Sequence, residues 1–89
     1  MKFIVTWSLQ PEQQRQATGR FLETGGLPPA DVKMLGRWHG ANKGFVLAET
    51  GSLKSLYEWL AGWTDILTFD VMPVIEDAEA AEIFQKQVR

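Results

Sequence analysis

The chain has 89 residues, 45% of them hydrophobic and 22% charged, with a net charge of −2. Such values describe a single globular domain over 1–89 and exclude disordered and collagen-like chains. Mild acidity argues against nucleic-acid binding. The apolar runs fall short of the ~18–20 residues of a membrane span, and the N-terminal one is too short for a signal peptide, so the expectation is a cytoplasmic protein without a membrane or nucleic-acid partner.

Lys2 to Ser8 (KFIVTWS) is rich in β-branched and aromatic residues and apolar in both alternation phases. This predicts a strand covered on both sides. Gln10-Pro11-Glu12 opens a helix, because proline loses nothing at the first turn and a carboxylate suits the positive end of the dipole. The helix runs to Thr24 with Ala17 and Phe21, then Thr18 and Leu22, four apart, and Gly25-Gly26 ends it. Gly19, in its middle, reads as a place of close helix–sheet contact.

Leu27-Pro28-Pro29 is a stiff connection. Val32 to His39 and Phe45 to Thr50 form a hairpin around Gly40–Gly44. Simple alternation puts Val32, Met34, Gly36 and Trp38 on one face, with Lys33, Leu35, Arg37 and His39 on the other. Gly36 inside that strand suggests a bulge or a bulky neighbour resting over it. Ser52 caps a second helix whose core face is Leu53, Leu56, Tyr57 and Leu60, with Trp59 and Trp63 on a neighbouring stripe. Ile66 to Ile75 is the last strand, and Pro73 places that part at a sheet edge or a bulge. Asp77 caps a final helix with Ala80, Ile83, Phe84 and Val88 on its apolar side and Lys86 and Arg89 in its last turn.

This order predicts an α+β, ferredoxin-like βαββαβ fold: a four-stranded antiparallel sheet, two helices on one face and an extra C-terminal helix. Two helices cover only one face of the sheet, yet its first and last strands are apolar on both. A second copy is the economical cover, giving a homodimer with isologous contacts; the C-terminal helix is the alternative.

The segments MKFIVTW, RFLETGGLPP, VKMLGRWH with a following GF, LYEWLAGWTDILTF and VMPVIED resemble an uncharacterised bacterial and phage family of small proteins, a domain of unknown function. The resemblance covers nearly the whole chain. It implies a ferredoxin-like domain, and the wider group of such domains commonly forms dimeric α+β barrels. That group includes cofactor-free monooxygenases, haem-degrading enzymes, muconolactone isomerases and stress-responsive barrel proteins. None of their catalytic motifs matches residue by residue, and fold alone does not give function.

Zero cysteines exclude disulfides, thiolate nucleophiles and Cys-ligated metals. One histidine with scattered acids such as Glu49, Asp65 and Asp70 is a poor metal set, so no metal and no cofactor is expected. Ser8, Thr6 and Ser52 have no base partner in a motif, and the glycine pairs match neither a phosphate loop nor a dinucleotide fingerprint. Four tryptophans and five phenylalanines remain as the unusual feature. Aromatics at this density build a core, an interface or a pocket for a small apolar or aromatic molecule. The candidate pocket uses Trp7, Trp38 and Phe45 as walls and Arg37, His39 and Asp70 as polar contacts. Trp59 and Trp63 lean toward helix packing or an interface, and Asp70 toward an ion pair, with Arg37 the natural partner to test, or a position near the dimer rim. The reading is a small-molecule-binding or structural dimer. The alternative is a cofactor-independent monooxygenase- or isomerase-like enzyme in which His39 or Asp70 removes a proton.

Overall fold

The computed structural model describes residues 1–88. The strands are β1 (Lys2–Ser8), β2 (Lys33–Gly40), β3 (Lys43–Glu49) and β4 (Thr68–Val74), and the helices are α1 (Gln14–Thr24), α2 (Leu53–Ala61) and α3 (Asp77–Gln87). A 3₁₀ turn, Pro11–Gln13, leads into α1. The antiparallel sheet has the order β2-β3-β1-β4, the ferredoxin-like arrangement. β4 is an edge strand, the position in a sheet where Pro73 is tolerated.

Register sorts the side chains. Phe3, Val5 and Trp7 of β1 lie opposite Ala48, Val46 and Gly44 of β3 and opposite Pro73, Val71 and Phe69 of β4. This inner face carries the core: Phe3, Val5, Val46 and Ala48 are buried together with Val32, Leu56 and Leu60. Trp7, Met34, Trp59, Phe69 and Val71 pack around them. Of the expected α2 core face, Leu56 and Leu60 are buried while Leu53 and Tyr57 are about half exposed. The apolar stripe is therefore narrower than its spacing suggests, because α2 touches the sheet along one line. Ser52 caps α2 as expected, its hydroxyl accepting from the Ser55 N–H at 3.1 Å.

β2 departs from simple alternation. The register shifts between Met34 and Gly36, leaving Leu35 as an extra residue in a β-bulge. Beyond the bulge Arg37 lies opposite Val46 and His39 opposite Gly44, on the inner face with Met34. Gly36 and Trp38 pair with Leu47 and Phe45 on the outer face. Trp38 also rests its ring over Gly36, so both readings of that glycine hold.

α1 ends at Gly25, whose φ of 71° is left-handed and whose N–H bonds the Phe21 carbonyl at 2.7 Å. No α1 residue is buried. Gly19 corrects the sequence reading: a Cβ there would meet nothing within 4 Å, so no close helix–sheet contact requires glycine. Gly19→Ala is therefore expected to stabilise the protein by about 0.5–1 kcal/mol through helix propensity and a less flexible unfolded chain. A thermal melt checks this, with a rise of about 2–8 °C expected for a domain of this size.

α3 stands away from the rest. No residue of it is buried, and Ile83, Phe84 and Val88 are exposed. The radius of gyration of 15.5 Å exceeds the ~12 Å expected of a compact chain of this length, as a projecting helix requires. α3 thus does not roof the open sheet face. Its cap also differs from expectation: Glu76 holds the N-cap position without a side-chain cap, and its carboxylate instead pairs with Lys2 at 3.0 Å. Arg89, expected in the last turn of α3, lies outside the described residues. Among the described residues no helix is long and apolar enough to cross a membrane.

Candidate functional site

Between α1 and the inner face of the sheet lies a cavity of about 290 Å³. It exists because α1 bridges the sheet and does not settle on it. Two polar clasps hold the helix. Arg20 donates to both carboxylate oxygens of Asp65, at 2.8 and 2.7 Å, and to the Gly62 carbonyl at 2.9 Å, in the turn after α2. The Arg20 guanidinium holds the Asp65 carboxyl below its ordinary range. Just past the C-terminus of α1, Arg37 donates to the carbonyls of Gly25 and Gly26, each at 2.8 Å, and the Trp59 indole N–H reaches Gly26 at 3.3 Å. These contacts satisfy carbonyls freed where α1 ends.

The walls are aromatic. Trp7 and Phe69 come from adjacent strands, Phe21 from α1, Trp59 from α2 and Trp63 from the turn after it. Gly44 makes room for the Trp7 indole, which lies where a Cβ on residue 44 would stand. His39 sits edge-on to two of these rings, its centroid 5.5 Å from Trp7 and 5.2 Å from Phe21. Arg37 lies under Phe21, its guanidinium carbon 4.8 Å from the ring centre. Half-burial lowers the Arg37 pKa, through desolvation alone. Gln14, Thr18, Asn42 and Lys43 supply polar groups at the margins.

A second concavity lies at the same end of the sheet and reaches the outer face, lined by Thr6, Ser8, Trp38, Phe45, Thr68 and Asp70 among others. It is larger, about 540 Å³, but no helix walls it on the outer side. A small molecule is better enclosed by the helix-side cavity.

Three of the residues singled out from sequence, Trp7, Arg37 and His39, meet in the helix-side cavity. Trp38 and Phe45 do not. They stack on one another on the outer face, with ring centres 4.9 Å apart. Asp70 is exposed, also outside this cavity, and lies opposite Thr6. The expected Arg37–Asp70 pair is absent, because the two side chains leave opposite faces of the sheet. A proton acceptor inside the cavity would have to be His39. Sequence reasoning left out Phe21 and Phe69 and gave Trp59 and Trp63 to packing. Their signal was the four-residue spacing of the two tryptophans, which is equally that of a helix contact.

Family comparison agrees with the resemblance noted in the sequence. The model of the Domain of unknown function (DUF3303) family matches residues 1–88, and the chain belongs to that family. No curated protein matches it.

Proposed function

We propose that this DUF3303 domain is a small-molecule-binding protein that works as a homodimer, taking a flat apolar or aromatic ligand into the cavity under α1. The observation that carries the reading is the convergence of Trp7, Phe21, Trp59, Trp63 and Phe69 around one half-open cavity. Five rings from four elements offer large, stiff surfaces that lose little entropy on binding.

The dimer is supported by the outer face. Ile4, Trp38, Phe45, Leu47, Met72 and Val74 crowd it, and Trp38, Phe45 and Met72 are each more than a third exposed. A second copy of this sheet, laid face to face, covers that patch on both partners at once.

The test is a titration with 2-naphthol, read by tryptophan fluorescence. Saturable quenching is expected in the wild type, weakened about 2–10-fold in Trp63→Ala, the range of a lost aromatic contact. Unsaturable quenching, or equal affinity in both proteins, would refute the site. Sedimentation of the same samples should give a species of twice the chain mass, and a monomer at micromolar concentration would refute the dimer.

A further inference from the structure

We infer that the ligand of this cavity carries a negative charge: a flat aromatic molecule with one carboxylate or equivalent acidic group, its acid end seated on Arg37. The inference rests on the binding role proposed above and adds to it the chemical class of the ligand.

Three observations point the same way. First, among the described residues the cavity is lined by Arg37, Lys43 and His39 but by no aspartate or glutamate. The chain as a whole has more acids than bases, eleven against nine, so this surface runs counter to its composition. Second, Arg37 is half-buried, and among the described residues no carboxylate pairs with it. Arg20 and Lys2, both nearer the surface, do have such partners in Asp65 and Glu76. A cation taken from water without a counter-charge is costly, and an arriving anion recovers that cost. Third, the Arg37 fork is already fixed. Its two terminal nitrogens each spend one N–H on the Gly25 and Gly26 carbonyls, and Phe21 covers its face. A guanidinium has five N–H donors, so three remain for a ligand. A held guanidinium binds a carboxylate with little further ordering.

The experiment compares ligands of one shape and three charges at pH 7: 2-naphthoate, 2-naphthol and 2-naphthylmethylammonium. 2-Naphthoate should bind roughly tenfold or more tighter than 2-naphthol, as one charge-assisted contact implies, and the ammonium weakest. Arg37→Gln should erase the advantage of the acid, bringing 2-naphthoate and 2-naphthol to about the same affinity, whatever the change in 2-naphthol binding itself. Because Arg37 also clasps α1, the wild-type series decides the matter if the variant does not fold. Equal or tighter binding of 2-naphthol than 2-naphthoate by the wild type would overturn the charge assignment and leave the binding role standing. Failure of all three to bind would overturn both.

Discussion

Gly44→Ala is expected to lower stability by about 1–3 kcal/mol or more, the cost of overpacking a closed site. A Cβ at this position would come closer than 3.0 Å to the carbonyl oxygen of Trp38 and to the Trp7 ring. The carbonyl belongs to the β2–β3 ladder and cannot move without the hairpin. Trp7 is held between Gly44 and Phe69 on its two neighbouring strands. Gly36→Ala is the internal control, since a Cβ there meets only the outer end of the Trp38 ring. That ring is a side chain and, unlike the ladder carbonyl at Gly44, can turn to relieve the contact. Urea unfolding of the two variants should separate them. Equal losses would mean that the ladder yields at Gly44 as readily as a surface side chain does.

Leu56→Ala should cost about 2–5 kcal/mol, because a fully enclosed leucine leaves both lost transfer energy and an unfilled hole. Leu56 and Val5 are the largest completely buried side chains. An 89-residue domain has roughly 4–13 kcal/mol in total, so this single truncation removes a large share of the margin. The melting temperature should fall at ~4–8 °C per kcal/mol. Leu53→Ala, on the same helix but 49% exposed, should change it little. A drop at Leu53 matching that at Leu56 would contradict the narrow buried stripe.

The order of elements was legible because each boundary carried its own chemistry: Pro11 opening a helix, Gly25-Gly26 closing it, Ser52 capping the next. Those signals are local, and the structure honours them. The division of aromatics between cavity and outer face was not legible. Period-two counting assumes an unbroken ladder, and the bulge at Leu35 resets the count, so Arg37 and His39 turn inward while Trp38 turns outward. Trp63 was hidden for another reason: it lies two residues past the end of α2, in a turn where helical spacing no longer gives a side chain's direction. Asp70 drew attention as a lone acid in an apolar strand, yet its strand presents it on the outer face, away from the core and from Arg37.

Leu35 is the one residue within β2 and β3 that the ladder does not count. Met34 pairs with Ala48 and Gly36 with the very next residue, Leu47, so excising Leu35 would join two stretches already in step. A single-codon deletion at that point would straighten the strand and keep every side chain on its present side. Chain length within the hairpin can therefore change by one residue at that point while the same partition of charge and indole is kept.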